Sequence, residues 1–437
     1  MKTCCCLFSA YRLQLKIQGE CTSSLFESET VNRKRTNGNK KGYKVNMISF
    51  EKAKKIILDS AVHLDKEYVP LQEACGRILS EDVASDVDMP PFNKSAMDGY
   101  ACRREDLDKP LRVIETVAAG YSPEKTIGPG ECAKIMTGGI VPEGADCVVM
   151  VEHTEFKDDF VHVLKKSTAT NICYQAEDIK TGDVVLPKGK RITPADIAIL
   201  ASAGCVRVPT ARKPVLGVVA TGSELVEPSR KPEAAQIRNS NSYQLCSQIE
   251  QAGCVSKYFG IAEDTPEAIR TCIENLLPEI DILLVSGGVS MGDYDYVPGI
   301  LKEVGFDLLF EKVAIKPGKP TVFGKKGNTF VFGMPGNPVS TFMIFELLVK
   351  PFCYKMMGGS YSPVKIPLTL GETIKRKKSD RLSYIPVVIN ENGVVQKVSY
   401  HGSAHIHALT RAHGYIPIPV GVNRLNPEER VEVTLLP

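Results

Sequence analysis

Apolar runs alternate with helical patterns between residues 214 and 350, and this alternation constrains the fold more than any other feature of the chain. Residues 215–220 are a continuous apolar run and residues 280–285 have the pattern of a buried strand, whereas residues 241–252, 266–277 and 339–355 carry apolar side chains at helical spacing. Strands that alternate with helices predict a doubly wound, mostly parallel sheet. We therefore expect an α/β domain over this part of the chain.

Glycines and polar side chains follow each predicted strand of this domain. Thr-Gly-Ser-Glu follows the run at 215–220, Ser-Gly-Gly follows the run at 280–285, and Lys-Pro-Gly-Lys-Pro follows the run at 307–314. Ligands of open α/β sheets bind beyond the carboxyl ends of the strands. The pattern therefore predicts a polar, phosphate-bearing ligand at this edge of the sheet.

The segment 286–296, Ser-Gly-Gly-Val-Ser-Met-Gly-Asp-Tyr-Asp-Tyr, is a candidate ligand loop. Its glycines, Gly287 and Gly288, would let backbone N–H groups approach an anion. A plain strand-to-helix turn is the alternative. Two serines, Ser286 and Ser290, and two aspartates in the same segment favour ligand binding.

Two further turns carry candidate anion sites. Lys316 and Lys319 lie on a proline-stiffened turn, where two held ammonium groups suit an oxyanion or a phosphate. A solvated basic turn is the alternative. Residues 333–338, Gly-Met-Pro-Gly-Asn-Pro, predict a tight turn that opens a helix, with Asn337 as a candidate cap. Structural need alone could also explain this second turn.

The remaining segments have other patterns. Helical spacing recurs at 50–64, at 69–79 and at 194–203, and a basic proline segment at 211–214 predicts a domain boundary. Short β-rich runs with Gly and Pro between them fill residues 86–183 and 361–437. The last of these predicts a small β-barrel or sandwich.

The net charge of +3 is distributed unevenly along the 437 residues. Residues 1–46 hold nine Lys/Arg and three Asp/Glu, a net charge of +6, so the remaining 45 basic and 48 acidic residues give −3. This composition does not suggest a broad nucleic-acid-binding surface, although a local basic pocket is compatible with it. We find no run of 18 apolar residues, so no membrane-spanning helix is expected.

The first 46 residues form a polar, Cys-rich segment without a sustained helical or strand period. Three interpretations stay open: a disordered tail or a mis-started stretch upstream of Met47, a metal-binding or lipidated cysteine cluster, and a basic nucleic-acid arm or localisation signal. The ten later cysteines form no Cys-x-x-Cys pair, which favours reduced thiols in a cytosolic protein.

Four histidines lie within 13 residues, at 401, 405, 407 and 413. His405 and His407 on a strand would face one side together, but a zinc site would need a fourth ligand at a suitable spacing. Surface or substrate-facing histidines are the favoured interpretation. No His-Glu-x-x-His, Gly-x-Ser-x-Gly or P-loop motif is present, so zinc-protease, α/β-hydrolase and Walker-NTPase functions are excluded.

Seven motifs in order resemble the family of molybdopterin molybdenumtransferases, which includes bacterial MoeA and the E domain of gephyrin. The resemblance covers residues 47–437. Its motifs are SAMDGYA (95–101), MTGGIVPEGAD (136–146), AEDIKTGD (176–183), ATGSEL (220–225), SGGVSMGDYDY (286–296), IKPGKP (315–320) and MPGNPVS (334–340).

The resemblance implies an α/β multidomain fold with a split first domain. The implied divisions are a split helical domain at 47–85 and 183–212, a β-rich domain at 86–182, the α/β molybdopterin-binding domain at 213–360 and a β-barrel domain at 361–437. It also implies a homodimer, with the site formed where the α/β domain of one chain meets elements of the partner.

The activity implied by the resemblance belongs to molybdenum cofactor biosynthesis. Molybdenum from molybdate is inserted into adenylylated molybdopterin, AMP is released, and Mg²⁺ is needed. An upstream molybdopterin adenylyltransferase is the implied partner, the cytoplasm is the implied location, and neither nucleic acid nor membrane is involved. Carboxylates beside such anionic substrates make sense if they hold Mg²⁺.

The resemblance also assigns roles to residues. Asp98, Thr137, Asp178 and Glu224 match positions important for activity, and Glu224, Asp264 and Asp295 match acids near the metal. Arg381 and Ser403 match positions thought to bind molybdate. The residues implied to bind substrate are Ser286, Gly287, Gly288, Ser290, Asp295, Lys316, Lys319, Pro335, Gly336, Asn337, Pro338, Arg381 and Ser403.

Two positions depart from the family pattern, and two other functions compete. Ser223 and Asn239 stand where many relatives have Asp, and each would be a weaker Mg²⁺ ligand. A scaffold that keeps the fold without catalysis is the first rival, but retention of Asp98, Glu224, Asp295 and both lysines of the basic turn argues against it. A generic nucleotide-binding α/β protein is the second rival, and it leaves residues 90–183 unexplained.

Overall fold

The computed structural model describes residues 47–289, 296–399, 402 and 405–436. Helix α1 (Phe50–Asp59) begins at Ser49, whose side chain accepts a hydrogen bond from the backbone N–H of Lys52. It buries Phe50, Ala53 and Ile57, the positions that its apolar spacing predicts. Strands β1 (Lys66–Pro70) and β2 (Val83–Ala84) follow.

The helix expected over residues 69–79 is wrong. The first residues of the expected helix, 69 and 70, belong instead to strand β1, which pairs antiparallel with residues 207–211. Only a single 3₁₀ turn, Leu71–Glu73, follows. Gly76 then has a φ of +80°, which a right-handed helix does not accommodate. Pairing with a distant strand therefore overrides the local helical pattern.

The next segment is a β-structure, as its short runs predict. Its strands are β3 (Lys94–Ser95), β4 (Gly99–Cys102), β5 (Leu111–Val117), β6 (Glu131–Ile135), β7 (Cys147–Met150), β8 (Thr154–Lys157), β9 (Phe160–Val163) and β10 (Ile172–Cys173). Six of them form one sheet in the order β7-β4-β6-β5-β9-β8. Gly99 lies so close to β7 that an added Cβ would stand 2.0 Å from the carbonyl oxygen of Val149. Glycine is therefore required at this position of β4.

The chain then returns to its first helix and strands. Strand β11 (Val184–Leu186) pairs with β2, and β12 (Arg207–Ala211) pairs with β1. Between them, helix α2 (Pro194–Ser202) begins with a capping box formed by Thr193 and Asp196. Arg212 then forms a two-point ion pair with Asp281 at N–O distances of 2.8 Å, which pins the basic segment to the α/β region.

The α/β region has the doubly wound arrangement that the sequence predicts. Its elements are β13 (Val215–Thr221), β14 (Leu225–Val226), β15 (Ile237–Arg238), α3 (Asn241–Gln251), β16 (Val255–Ala262), α4 (Pro266–Leu276), β17 (Ile282–Ser286), α5 (Val297–Glu303), β18 (Asp307–Phe310), β19 (Ile315–Lys316), β20 (Val322–Lys326), β21 (Thr329–Met334), α6 (Pro338–Ile344), a π-helical turn (Phe345–Val349) and α7 (Lys350–Met356). The sheet order is β16-β13-β17-β21-β20-β18, and the first four strands are parallel.

Separate apolar cores cover the two faces of this sheet. Leu216 and Val218 of β13 point into one core, whereas Val219 of the same strand packs in the other. This alternation follows from the two-residue period of a strand. Because β13, β17 and β21 run parallel to each other, their carboxyl ends meet at one edge of the sheet. The two cores pack on either face of the sheet and hold this edge in place.

One part of the strand-end prediction needs correction. β18 is an antiparallel edge strand, and it ends at Phe310 rather than at the lysine turn. Residues 315–316 instead form β19, which pairs in parallel with a strand of the C-terminal sheet. The turn that carries Lys316 and Lys319 therefore joins two parts of the fold.

The C-terminal segment is β-rich, as expected. Its strands are β22 (Lys365–Thr369), β23 (Ile374–Lys375), β24 (Leu382–Ile389), β25 (Val395–Lys397), β26 (Gly414–Ile418), β27 (Arg424–Leu425) and β28 (Arg430–Leu435). The sheet order is β19-β24-β26-β28-β22, with β25 paired to β24. Its closure into a barrel stays a prediction.

The placement of His405 and His407 on a strand is wrong, because residues 406–411 form a 3₁₀ helix, Ile406–Arg411. The two side chains therefore do not share a strand face. Across the described ranges, no helix has both the length and the apolar character needed to cross a bilayer.

Candidate functional site

A cavity of about 310 Å³, which we call the strand-end cavity, opens where β13, β17 and β21 end. Glu224, Ser286, Gly287, Gly336, Asn337 and Pro338 line it, all of them sequence-predicted site residues. Asn241 at the start of α3 connects two of its walls. The Asn241 amide donates to the Ser286 hydroxyl at 3.0 Å and to the Gly336 carbonyl at 2.8 Å.

The glycines after β17 allow a close approach to the end of β13. Gly287 has a φ of +101°, and an added Cβ would stand 2.3 Å from the carbonyl oxygen of Thr221. An added Cβ at Gly288 would stand 2.9 Å from the Thr221 hydroxyl. Both positions therefore require glycine for packing, and Gly287 lines the cavity whereas Gly288 does not. Ser290 and Asp295 of the same motif lie outside the described residues.

Two buried oxygen atoms in the walls of the strand-end cavity have no hydrogen-bond partner among the described residues. They are Oγ1 of Thr221 and Oδ1 of Asn241. A buried polar atom without a partner costs about 1–3 kcal/mol, and a ligand or an ordered water in the cavity would supply the missing contact. The Glu224 carboxylate is exposed on the same cavity.

The oxygens of Glu224, Thr221 and Asn241 are of the type that Mg²⁺ prefers, and this ion keeps several waters when few carboxylates are present. Glu224 would hold it with the oxygens of Thr221 and Asn241. Asp264 does not line the strand-end cavity. Within the described ranges, no group of three or more His, Cys, Asp or Glu side chains is gathered as a metal site.

The positions that depart from the family pattern do not add a ligand. Asn239 is buried, and its amide donates to the Ser242 hydroxyl at 3.1 Å and to the Tyr258 hydroxyl at 2.8 Å. The Asn239 oxygen accepts from the backbone N–H of Ser242. Asn239 therefore fixes the start of α3. Ser223 is exposed and does not line the cavity.

A second cavity of about 490 Å³, the lysine-turn cavity, adjoins the first through the shared residue Asn337. Its predicted site residues are Lys316, Lys319 and Arg381. Ser340, which is buried, also lines it. Lys397 lines it as well, and four cations on one cavity would suit an oxyanion. Ser403 lies outside the described residues.

Backbone contacts hold the cations of the lysine-turn cavity in place. β19 pairs with the start of β24, so that Lys316 lies opposite Ser383, and the Arg381 guanidinium donates to the Ile315 carbonyl at 3.3 Å. Gly318 has a φ of +110°, and an added Cβ would stand 2.6 Å from Cδ1 of Ile344. The turn is thus fixed both to the C-terminal sheet and to α6.

The turn at residues 333–338 is also anchored to the rest of the fold. Pro335 is buried, and its carbonyl accepts a hydrogen bond from the Thr341 hydroxyl. Asn337 is the N-cap residue of α6, as predicted, although its side chain makes no capping hydrogen bond. Its side chain is instead exposed between the two cavities.

Asp98 and Thr137 form a third group, on the β-rich segment. The Asp98 carboxylate accepts hydrogen bonds from the backbone N–H of Thr137 at 2.6 Å and from its hydroxyl at 2.8 Å. Both residues are exposed, and neither lines the strand-end or the lysine-turn cavity of the same chain. Asp178 is exposed on a neighbouring loop, where its backbone N–H donates to the carbonyl of Met89.

The two hydrogen bonds from Thr137 lower the pKa of Asp98 below its ordinary value of 3.8, the backbone N–H having the larger effect. A carboxylate with a depressed pKa stabilises the fold above its ordinary pKa, and this contribution is lost as the pH falls through the depressed value. Asp98 is therefore anionic throughout the neutral range.

We expect carboxyl ¹³C NMR to give Asp98 a titration midpoint below 3.8. Thr137→Ala should raise this midpoint only part of the way, because the backbone N–H remains. Asp88 is the internal control, since its pKa is lowered by the equivalent contacts from Thr181. An Asp98 midpoint that does not rise in Thr137→Ala would contradict the assignment.

Some residues of the site were not found by sequence reasoning. Thr221, Asn241 and Ser340 line the cavities without a role having been predicted for them. Asn241 could have been suspected from its place at the start of a helix behind a strand-end motif. No sequence signal shows that its oxygen is buried without a partner.

Three family models match the chain. They are the MoeA N-terminal region (domain I and II) over residues 48–204, the probable molybdopterin binding domain over 217–355, and the MoeA C-terminal region (domain IV) over 369–436. Together they cover most of the described residues.

Relatives and solved structures agree with these models. A molybdopterin molybdenumtransferase of Staphylococcus epidermidis is 36% identical over 89% of this chain and 95% of that protein, and one of Bacillus subtilis is 34% identical over 88% and 95%. The crystal structure of the molybdopterin biosynthesis MoeA protein from Pyrococcus horikoshii superposes with a TM-score of 0.79 at 34% identity, covering 90% of this chain and 100% of that one.

Proposed function

This chain belongs to the MoeA family of molybdopterin molybdenumtransferases, which act in molybdenum cofactor biosynthesis, and we propose that it inserts molybdenum from molybdate into adenylylated molybdopterin with release of AMP. The observation that carries this proposal is the pair of adjoining cavities that share Asn337. One offers backbone and oxygen donors, and the other offers four cations.

The lysine-turn cavity is the proposed molybdate site. Molybdate is a dianion, and Lys316, Lys319 and Arg381 supply positive charge from a turn that is fixed before the anion arrives. Prearranged cations lose little energy in reorganisation when charge develops on the reacting oxygens. Their role is to hold the oxyanion toward the strand-end cavity.

The strand-end cavity is the proposed site for the phosphate end of adenylylated molybdopterin. Ser286 and the backbone at Gly287 and Gly336 contact the phosphates, and Asn241 keeps the two loops in register. When Mg²⁺ is bound by Glu224, Thr221 and Asn241, it neutralises charge on the phosphates.

The protein mainly positions the reactants, since the phosphoanhydride already has a good leaving group. An oxygen of water or of molybdate forms a new bond to the adenylyl phosphorus, and the bond from that phosphorus to the pterin phosphate breaks. AMP leaves with that oxygen. The two thiol sulfurs of the pterin replace two oxygens of molybdate on molybdenum, so two Mo–S bonds form as two Mo–O bonds break. Each displaced oxygen takes up protons and leaves as water, except the one that has gone to AMP when molybdate is the nucleophile. No covalent enzyme intermediate is required.

Asp98 and Thr137 are proposed to act on the site of a partner chain. They form a hydrogen-bonded pair on the surface, yet neither lines the two cavities of their own chain. We therefore propose a homodimer in which the β-rich segment of one chain completes the cavities of the other. Asp178 on the neighbouring loop belongs to the same proposed surface.

The proposed cellular setting is the cytoplasm, with a molybdopterin adenylyltransferase upstream to supply the substrate. The test is incubation of the protein with adenylylated molybdopterin, molybdate and Mg²⁺, followed by measurement of AMP. We expect AMP release that depends on molybdate and stops when EDTA removes the divalent ion. Substrate binding without AMP release would instead support the scaffold function.

A further inference from the structure

One wall of the strand-end cavity is formed by residues 222–239, most of the segment between β13 and α3, which we call the cavity arm. The residues of the arm that line the cavity are Glu224, Leu225, Ile237, Arg238 and Asn239. Within the arm, β14 pairs with β15, and the Ile237 N–H donates to the Glu224 carbonyl at 2.8 Å. The arm is thus a short two-stranded ribbon beside the cavity.

The Glu227 carboxylate ties the cavity arm to two other elements. One of its oxygens accepts a hydrogen bond from the Tyr258 hydroxyl at 2.6 Å, and the other accepts from the Tyr243 hydroxyl at 2.9 Å. Tyr258 lies on the edge strand β16, whereas Tyr243 lies in the first turn of α3. The two rings pack together with their centroids 5.4 Å apart, so each helps to hold the other donor in place.

The Tyr258 hydroxyl also receives a hydrogen bond from the arm. The Asn239 amide donates to it at 2.8 Å, while the hydroxyl donates its single proton to Glu227. Burial, and after it the Glu227 carboxylate, raise the pKa of Tyr258, so this proton is retained at neutral pH. Glu227 follows β14 and Asn239 follows β15, so one hydroxyl joins the ends of both strands of the ribbon.

These contacts bear on the position of Glu224, the carboxylate of the strand-end cavity. Glu224 directly precedes β14, and its side chain is exposed, so the backbone of the arm sets where the carboxylate lies. In the described part of the chain, the side-chain hydrogen bonds from the arm to β16 and to α3 run through Glu227 and Asn239 only. Loss of the Tyr258 hydroxyl would therefore release the arm, and Glu224 with it, from the edge strand.

We propose that Glu227, Tyr243 and Tyr258 are positioning residues, which fix the cavity arm so that the Glu224 carboxylate is in place before a divalent cation binds. None of the three lines the strand-end cavity, so they act through Glu224 rather than on the substrate. Groups that orient a metal ligand typically contribute about 10–100-fold to metal affinity. The use of the cation in the insertion reaction rests on the proposed function, whereas cation affinity is a property of the protein itself.

The test titrates the full chain with Mn²⁺ alone, which takes the same oxygen ligands as Mg²⁺ and is followed by EPR. Tyr258→Phe removes the hydroxyl and keeps the ring. Tyr361→Phe is the matched control, because Tyr361 is also half-buried and does not line the strand-end cavity. Tyr258→Phe is expected to raise the Kd for Mn²⁺ about tenfold, whereas Tyr361→Phe should leave it unchanged. Glu224→Gln should abolish the same binding, which identifies the site.

Two results of this titration would overturn the proposal. One is an unchanged Kd in Tyr258→Phe, and the other is a wild-type protein without Mn²⁺ binding that depends on Glu224. If Tyr258→Phe does not fold, Tyr243→Phe replaces it, because Tyr243 is exposed and its loss removes one of the two hydrogen bonds to Glu227. A smaller rise in the Kd is then expected, and an unchanged Kd would again overturn the proposal.

A purely structural role of Tyr258 is the alternative, and two further measurements distinguish it. Deuterium exchange of the backbone in the cavity arm should be faster in Tyr258→Phe than in Tyr361→Phe, since the hydrogen bond from Ile237 to Glu224 would open more often. Glu227→Gln/Tyr258→Phe should raise the Kd for Mn²⁺ by less than the product of the two single effects, because both changes break one contact. Lower thermal stability of Tyr258→Phe with unchanged exchange and Mn²⁺ affinity would assign the structural role and overturn the proposal.

The outcomes separate this proposal from the proposed function. Weaker Mn²⁺ binding by Tyr258→Phe, together with a wild-type protein that releases no AMP, would support the positioning role and contradict the insertion reaction. Molybdate-dependent AMP release by the wild type, together with equal Mn²⁺ affinity in the wild type and Tyr258→Phe, would support the reaction and overturn the positioning role.

Discussion

Asp98→Ala is expected to lower the rate of molybdate-dependent AMP release by roughly 10²–10³-fold, the size of effect seen when one prearranged polar contact of a reaction site is removed. Asp98 is an exposed carboxylate held in one orientation by both donors of Thr137. Because its pKa is depressed, the lost group is an anion at neutral pH. The fold should persist, since the side chain lies at the surface.

The control for this variant is Glu155→Ala, which removes an exposed carboxylate from β8, in the sheet that also contains β4, the strand that follows Asp98. AMP release and the circular dichroism spectrum of each variant are measured side by side. Glu155→Ala should retain the wild-type rate. Asp98→Ala acting at the wild-type rate would contradict the role of Asp98 in the reaction.

The proposed dimer leads to a second prediction for Asp98→Ala. If Asp98 acts on the cavities of a partner, mixing Asp98→Ala chains with Lys316→Ala chains under conditions of subunit exchange should restore AMP release. One of the two sites in each mixed dimer then has all its residues. A mixture that stays as inactive as its parents would contradict the shared site.

Glu346→Ala is expected to lower the free energy of unfolding by about 3–5 kcal/mol, because it leaves a buried cation without its partner. Nζ of Lys350 is 2.9 Å from the Glu346 carboxylate, and both side chains are more than nine-tenths buried. The amide of Gln248, on α3, donates to the other Glu346 oxygen at 2.9 Å. The substitution therefore also removes a contact between α3 and the π-helical turn that carries Glu346.

An exposed ion pair provides the control for this stability prediction. Lys365 and Glu432 are 2.7 Å apart, with about half of each side chain exposed. Glu432→Ala should change the free energy of unfolding by less than about 1 kcal/mol. Urea unfolding of both variants measures the difference, and similar losses in the two would contradict the importance of burial at Glu346.

The α/β region was predictable because its signals are local. Strand-length apolar runs, helical spacing and glycine turns each follow from neighbouring residues, and Ser286, Gly287 and Asn337 were brought together as the topology requires. The prediction of a helix over residues 69–79 failed because the structure of this segment depends on a distant contact rather than on a local signal. Its residues pair with β12, more than a hundred positions later, and no local pattern reports such a partner.

The limits of prediction at the site have the same physical origin. The lysine turn was recognised as a cationic site, but β19 pairs with β24, whose residues lie 67 positions later in the chain, so the membership of β19 in the C-terminal sheet was missed. In the run from Lys375 to Lys378, the sequence shows four adjacent cations. It does not show that Arg376 binds carbonyls while its neighbours are exposed on a cavity.

The central claim is that molybdenum transfer and AMP release belong to one reaction at the paired cavities. A single-turnover experiment with the full chain, adenylylated molybdopterin, molybdate and Mg²⁺ tests it by measuring AMP and pterin-bound molybdenum in the same samples. We expect one molybdenum bound to pterin for each AMP released, and neither product from a Lys316→Ala/Lys319→Ala variant. AMP released without molybdenum on the pterin, or at an equal rate without molybdate, would contradict the account.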